Sequence, residues 1–155
     1  MRRHNTEMKV RAIENGTVID HIPSKNLFKV ISIIGLEKMD TTIFIGNNLD
    51  SKKLGKKGII KITNKFPSID DFNKIALLAP SAIFNIIRNY NVVEKHKVEI
   101  PKVVDGIVKC MNPQCITNHD KVKTYFTVFI KDGELNLKCK YCEKNTDERN
   151  IEVIK

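Results

Sequence analysis

Hydrophobic residues recur along the first hundred positions in spacings typical of both strands and helices. In Ile59–Thr63, Ile60 and Ile62 fall on one face of an extended chain and Lys61 falls on the other, which predicts a strand with one solvent-facing side. A period of 3.6 follows Ser24, which is placed to cap a helix. The apolar positions of that predicted helix are Leu27, Val30, Ile31 and Ile34.

The remaining segments continue this succession of strands and helices. Ser68 and Asp71 resemble a capping box that begins a second helix, and Pro80 is placed to end it. The inner face of this helix would carry Phe72, Ile75, Ala76 and Ala79. The other predicted elements are the strand Met8–Ile13, the extended segment Thr17–Pro23, the strand Thr41–Gly46, a basic loop from Ser51 to Gly58, and the strands Ala82–Arg88 and Asn91–Lys95 around Asn89-Tyr90.

This order of elements is β-α-β-β-α-β with an extra strand, the ferredoxin-like arrangement. It predicts an antiparallel sheet that two helices cover on one face, with the other face open to a ligand or partner. The fold class is therefore α+β. Lys61 lies on a central strand of this sheet, between two isoleucines, and we interpret it as facing an anion.

Four cysteines in the last third of the chain form two close pairs. Their spacing is C-x4-C, twenty-three intervening residues, then C-x2-C, which is typical of tetrahedral Zn²⁺ coordination by thiolates. A disulfide framework is the alternative, and His119 is a rival ligand. The sequence begins without an apolar leader segment, so we expect a cytoplasmic protein with reduced thiols. The predicted ligands of one structural zinc ion are Cys110, Cys115, Cys139 and Cys142.

The position of the cysteines divides the chain into two predicted domains. Residues 1–100 form the ferredoxin-like domain, and residues 101–155 form a small all-β, zinc-ribbon-like domain that depends on its metal to fold. The first part carries 17 lysines and arginines against 10 acidic residues, and the second carries 10 against 8. The excess of +7 over +2 predicts that an anionic partner meets the first domain, although a solvated basic face is the alternative.

A catalytic constellation does not emerge from the sequence. It has no Gly-rich phosphate loop and no nucleophile elbow, and all four cysteines are assigned to metal. Asp20 and His21 are adjacent, so in an extended segment their side chains would point to opposite faces. No apolar run approaches a membrane span. The sequence therefore favours a binding protein over an enzyme.

Several segments together resemble one known family, the regulatory chain of aspartate carbamoyltransferase. The zinc knuckles alone are weak evidence because many ribbons share them, but their combination with the eight residues from Gly16 to Pro23 is specific. The resemblance covers the chain from about residue 8 onward. The matching segments are Gly16–Pro23, Ile60–Ile62, Asn89–Val93, Cys110–Ile116 and Leu137–Lys144.

The resemblance implies a non-catalytic subunit of a pyrimidine-biosynthetic enzyme. In this family the N-terminal domains pair into homodimers and bind CTP, UTP and ATP, and the zinc domain docks on the catalytic chain. Two catalytic trimers and three regulatory dimers form the dodecamer. CTP inhibits, UTP can reinforce the inhibition, and ATP activates.

The resemblance also implies an effector site in the first domain. Val10, Ala12 and Ile13 match positions that meet the base, and Asp20 matches the residue near the ribose. Lys61 and Lys95 match the lysines nearest ribose and phosphate. Close to these positions are Lys57 from the basic loop, Asn85, Tyr90 and Val92 at the pocket edge, and His21 and Lys9 near phosphate or a second nucleotide.

Two other functions compete with this one. A ferredoxin-like sheet with a zinc ribbon can be a nucleic-acid-binding protein, but the central strands offer only Phe44 for base stacking and the zinc domain is nearly neutral. A stand-alone small-molecule sensor is the second alternative. We therefore expect no nucleic-acid partner and no membrane association.

Overall fold

The N-terminal part of the protein is built on one antiparallel sheet. The computed structural model describes residues 12–154, and for residues 69–72 it describes the backbone only. The chain divides into two compact units between Val98 and Glu99. The first unit contains β1 (Gly16–Pro23), α1 (Leu27–Ile33), β2 (Ile43–Ser51), β3 (Gly55–Thr63), α2 (Ile69–Ala76), β4 (Ile83–Arg88) and β5 (Asn91–Lys97).

The strands of this sheet lie in the order β2-β3-β1-β4-β5, and every neighbouring pair is antiparallel. The first four are arranged as in a ferredoxin-like sheet, and β5 is the extra strand at the β4 edge. The predicted α+β class is confirmed. The predicted strand Met8–Ile13, with Lys9 and Val10, lies almost wholly outside the described residues.

One face of the sheet is buried against the helices. Ile19 of β1 lies opposite Ile60 of β3 and Phe84 of β4, and all three side chains are fully buried. From the helices, α1 contributes Leu27 and α2 contributes Ile75 to the same core. Because side chains alternate along a strand, the residues next to Ile19 and Ile60 face the opposite, open side.

Two predicted details of this unit are wrong. Ser24 does not cap α1: it lies in a 3₁₀ turn, and the helix follows Asn26, whose side chain donates to the Leu78 carbonyl oxygen at 2.7 Å. The predicted basic loop is a tight hairpin in which Lys56 and Lys57 already belong to β3. This tightening is possible because the φ angle of +79° at the turn is one that glycine, here Gly55, adopts readily.

The second unit is a small antiparallel sheet. Its strands β6 (Val103–Asp105), β7 (Tyr125–Lys131), β8 (Glu134–Cys139) and β9 (Asn145–Asp147) pair in chain order. Its core is formed by Val108, Phe126, Leu137 and Ile151, all 2% exposed or less. The register places Phe126 opposite Cys139, so the last residue of β8 is a cysteine that lies at the edge of this core. The predicted all-β character is confirmed.

Among residues 12–154, no helix has the length and apolar character needed to cross a membrane.

Candidate metal centre and sheet-face cleft

Two turns bring the four cysteines together. In the first, the Cys115 amide donates to the Asn112 carbonyl at 3.0 Å, and the Asn118 side chain donates to the Cys110 carbonyl at 2.9 Å. In the second, Cys139 ends β8 and the Glu143 amide returns to its carbonyl at 2.9 Å. Glu143 has a φ of +62°, a left-handed conformation within this tight turn, and the turn places Cys142 beside Cys110.

The sulfur atoms are spaced as a tetrahedral metal requires. Sγ of Cys110 lies 3.6 Å from Sγ of Cys142, Sγ of Cys115 lies 3.7 Å from Sγ of Cys139, and all four lie within 4.8 Å of one another. A tetrahedron with metal–sulfur bonds of about 2.3 Å has sulfur–sulfur edges of roughly 3.8 Å. A disulfide needs about 2.05 Å, so the disulfide alternative is wrong.

The four thiols do not ionise alike. Burial raises the pKa of Cys110 to about 12 and also raises the pKa of Cys139. At Cys142 burial acts in the same direction, but hydrogen bonds from Asn112 and Lys144 outweigh it and lower the pKa to about 7. Four crowded thiolates repel one another, so a cation at their centre is what allows all of them to be deprotonated together.

The rival ligand His119 is committed elsewhere. Its Nε2 lies 2.6 Å from the Pro113 carbonyl oxygen, to which it donates, and its side chain is exposed. Within residues 12–154, the group gathered as a possible metal site is therefore the four predicted cysteines, without the histidine.

The open face of the first unit carries a cleft of about 260 Å³. Cross-strand pairing places Lys61 of β3 and Asn85 of β4 on either side of Val18 of β1. Phe44 lies outside Lys61 in the same row, and Lys95 lies outside Asn85. The cleft is lined by Ala12, Ile13, Val18, Ile59, Lys61, Asn85, Ile87, Tyr90 and Val92.

The floor of this cleft is apolar. Ile13, Val18 and Ile87 form a buried cluster, against which Phe44 and Ile59 pack. Flat aromatic groups such as nucleobases bury favourably on a floor of this kind. The sequence reasoning missed Val18, Ile59 and Ile87. Strand alternation gives only a partial signal for them: each lies two residues from a polar residue on its own strand, but alternation does not tell the open face of a sheet from its core face.

Lys61 is the cation at the centre of the cleft. Desolvation lowers its pKa, and the nearby Asp20 carboxylate partly opposes this effect by raising it. A lysine that is partly removed from water interacts more strongly with an incoming anion than a fully solvated one.

Asp20 joins the cleft to a second group of polar residues. It accepts from Lys57 Nζ at 2.9 Å, with both side chains only about one-fifth exposed (21% and 20%), and from the His21 amide at 2.6 Å. The expectation that Asp20 and His21 point to opposite faces is wrong: the His21 Nδ1 lies 3.7 Å from the Asp20 carboxylate. The register of β1 shifts between Ile19 and Ile22, and His21 has a φ of +60°, so strand alternation is interrupted there.

The structure therefore brings together most of the predicted effector residues. Asp20, His21 and Lys57 form the adjoining polar group, and Lys95 is on the exposed strand β5 opposite Asn85. Lys9 and Val10 are outside the described residues. The predicted residues that line the cleft itself are Ala12, Ile13, Lys61, Asn85, Tyr90 and Val92.

Comparison with known families matches both units. Residues 8–99 match the model described as aspartate carbamoyltransferase regulatory chain, allosteric domain. Residues 102–152 match the metal binding domain of the same chain. The metal-binding match and the cysteine cluster together identify the second unit as one that binds a metal.

Curated relatives agree over almost the full length. The chain is 52% identical over 154 residues to the aspartate carbamoyltransferase regulatory chain of Bacteroides fragilis, covering 99% of this chain and 100% of the relative. It is 52% identical over 147 residues to that of Pyrococcus horikoshii, covering 94% of this chain and 96% of the relative. Neither family match favours the nucleic-acid-binding alternative, and a regulatory chain implies a non-catalytic role. The chain belongs to the aspartate carbamoyltransferase regulatory chain family.

Proposed function

We propose that this chain is the nucleotide-binding regulatory subunit of an aspartate carbamoyltransferase holoenzyme. Its first unit binds CTP, UTP and ATP in the sheet-face cleft, and its second unit binds one structural Zn²⁺ and docks on the catalytic chain. The observation that carries the proposal is the half-buried Lys61 above an apolar floor, in the unit that holds most of the positive charge.

The cleft offers a separate chemistry to each part of a nucleoside triphosphate. The base packs on Ile13, Val18 and Ile87. From the family resemblance we assign Val10, Ala12 and Ile13 to contacts with the base through backbone groups. The Asp20 carboxylate accepts hydrogen bonds from ribose hydroxyls, and Lys61 lies beside it as the neighbouring cation. Asn85, Tyr90 and Val92 form the edge of the pocket.

Several cations surround this centre and suit the phosphates. Lys57 is already held close by its ion pair with Asp20, and Lys95 is one strand away from Asn85. His21 and Lys9 are the residues we assign to phosphate or to a second nucleotide. Together they supply positive charge to a triphosphate, whose contacts with cations are charge-assisted and therefore strong.

Zinc is the metal that the second unit would hold. Four thiolates in a tetrahedral arrangement favour Zn²⁺ among the divalent ions, and such a closed set leaves no position for a reacting water. The role of the ion is therefore to stabilise the fold of a small unit. Regulatory chains pair through their first units, and three such dimers join two catalytic trimers in the assembly we propose.

Regulation then follows from a difference in nucleotide affinity between two quaternary states. An effector shifts such an equilibrium only by that difference, typically about 1–3 kcal/mol of coupling. Nucleotide binding and docking on the catalytic chain fall to different units, so the shift must pass from the first unit to the second.

Calorimetric titration of CTP into the zinc-loaded chain at physiological salt tests the nucleotide site. Lys61→Ala should weaken CTP binding by roughly 10- to 100-fold, because it removes a charge-assisted contact worth about 1.5–3 kcal/mol. Lys29→Ala, which removes an exposed lysine from α1, is the matched control and should leave the affinity unchanged. Strongly salt-dependent binding of a short single-stranded RNA, with no heat from CTP, would contradict the proposal.

Reconstitution with a catalytic chain tests the regulatory part separately. Activity of the assembled holoenzyme should change on adding CTP and should lose that response with Lys61→Ala. An activity that CTP leaves unchanged, despite measurable CTP binding, would refute the regulatory role and keep only the binding site.

A further inference from the structure

A second cavity lies on the other face of the same two central strands. It has a volume of about 140 Å³, is partly open to solvent and lies between β1, β3, the end of α1 and α2. Ile19 and Ile62 supply its sheet side, and Ile34 and Ile75 supply its helix side. Ile19 and Ile62 each follow a cleft residue, Val18 and Lys61, so the two cavities lie back to back across one sheet.

This cavity has the size and lining of a site for a small hydrocarbon group. An apolar cavity of about 150 Å³ in a protein core stays dry and takes up benzene. Here the lining is almost entirely aliphatic, with Met39 and Pro67 adding flexible and flat apolar surface. A benzene-sized group therefore matches this cavity in volume and in the apolar character of its lining.

Its mouth is cationic. Among the described residues that line the cavity, Lys65 is the charged one, and Phe66 beside it is 41% exposed. The Arg88 guanidinium lies over the Phe66 ring, 4.3 Å from its centroid. The Thr17 hydroxyl donates to the Lys65 carbonyl at 2.7 Å, which fixes the backbone of this rim to β1. Two cations beside an apolar cavity select an occupant with an apolar body and a negative end.

We propose that this cavity is a second ligand site, separate from the nucleotide cleft, for an aromatic or similarly sized apolar monocarboxylate. The hydrocarbon part lies among Ile19, Ile34, Ile62 and Ile75, and the carboxylate lies at the rim beside Lys65. The site depends on neither the metal nor the nucleotide, so it stands or falls independently of the proposed regulatory function.

Isoleucine methyl NMR of the full zinc-loaded chain tests the proposal, with benzoate, benzene and benzylamine as probes. Benzoate should cause saturable shifts of the cavity methyls, with a dissociation constant in the millimolar range. It should bind roughly threefold more tightly than benzene, the size of effect expected for a partly exposed ion pair, and benzylamine should bind most weakly. The methyls to be followed are those of Ile19, Ile34, Ile62 and Ile75 for this cavity and those of Ile13, Ile59 and Ile87 for the cleft.

Two test variants and one control make the result decisive. Lys65→Gln should reduce benzoate affinity to that of benzene, and Lys29→Gln should leave it unchanged. Ile34→Phe should fill the cavity and abolish binding of both benzoate and benzene. If this variant misfolds, Lys65→Gln still tests the proposal, because it changes an exposed side chain. Benzoate shifts confined to the cleft methyls, no saturable shift, or equal affinity for benzoate and benzene would each overturn the proposal.

Discussion

At the scale of single residues, Gly16 is the position where the fold depends most directly on the absence of a side chain. It begins β1 with a φ of +142° and pairs with Thr63 of β3 and Ile87 of β4. A Cβ atom here would clash with the backbone carbonyl oxygen of Ile62, which belongs to the neighbouring central strand. The clash is with backbone, so no side-chain rotation can relieve it.

Gly16→Ala is expected to destabilise the first unit by about 2–4 kcal/mol, because strain at a special backbone conformation and a steric clash act together. Urea denaturation of the zinc-loaded chain followed by circular dichroism measures the change. Gly35→Ala is the matched control: its φ is +67°, but the added methyl carbon would have no described neighbour within 4 Å, so its cost should be about 1 kcal/mol. Equal costs for the two variants would show that the Ile62 contact is unimportant.

Residue chemistry was the part of the site most accessible from sequence. Cysteine spacing alone predicted which four residues come together. The alternation around Lys61 predicted that its side chain lies on the face of the sheet opposite to Ile60 and Ile62. The apolar floor of Val18, Ile59 and Ile87 could not be singled out in the same way. An isoleucine on the open face has the same sequence signature as one in the core, and only the pairing of strands tells them apart.

At the scale of elements, the β4–β5 hairpin determines the edge of the cleft. Asn89 and Tyr90 have φ angles of +49° and +67°, the signature of a type I′ turn. The Tyr90 amide donates to the Glu14 carbonyl at 2.9 Å, which ties the turn to the segment before β1. Asparagine tolerates this conformation and tyrosine does not favour it, so the turn keeps a strained residue at the cleft.

Tyr90→Gly should therefore separate stability from binding. Glycine adopts a positive φ without strain, so the free energy of unfolding should stay the same or rise by up to about 1 kcal/mol. The thermal midpoint should accordingly stay the same or rise. CTP affinity should fall several-fold, because the side chain that lines the cleft edge is lost. Calorimetric titration and a thermal melt of the same sample measure both. Tyr90→Phe is the control that keeps the ring, and a clear loss of stability in Tyr90→Gly would contradict the strain argument.

Strands and helices were predicted well where the hydrophobic period and the turn residues agreed. They were predicted poorly where a β-bulge inserts one extra residue into a strand. The strands of the first unit follow their predicted order, and the turn at Asn89 was visible in the sequence. The register shifts in β1 and β2 were not. A bulge changes which face every later side chain takes, yet it adds only one residue, here marked by positive φ at His21 and Asn48. That is why the contact between Asp20 and His21 was missed.

At the scale of the whole molecule, the two units differ in what holds them together. The first has a core of fully buried strand and helix residues, among them Ile19, Ile60 and Phe84. The second, residues 99–155, is of a size that buries little apolar surface, and its four cysteines lie at the edge of its core. A metal held by thiolates supplies about 10–16 kcal/mol in comparable small units, which is enough to determine whether the fold forms.

Cys139→Ser should therefore unfold the second unit and leave the first intact. The variant should lose its equivalent of zinc and its docking on the catalytic chain, while CTP binding persists, because the cleft residues all belong to the first unit. Zinc stoichiometry, amide NMR spectra and CTP titration measure the three properties together. Acidification should reproduce the loss in the wild-type chain, since protons compete with the metal for the thiolates.

His119→Ala is the control that distinguishes the four cysteines from their nearest rival. The imidazole is hydrogen-bonded to the Pro113 carbonyl oxygen and is exposed. Its removal should therefore loosen the turn between Cys110 and Cys115 slightly and leave one zinc ion bound. If Cys139→Ser kept stoichiometric zinc while His119→Ala lost it, the ligand set would have to include the histidine in place of Cys139. Retention of zinc by His119→Ala, with its loss from Cys139→Ser, means instead a closed site of four thiolates that stabilises the fold of the second unit.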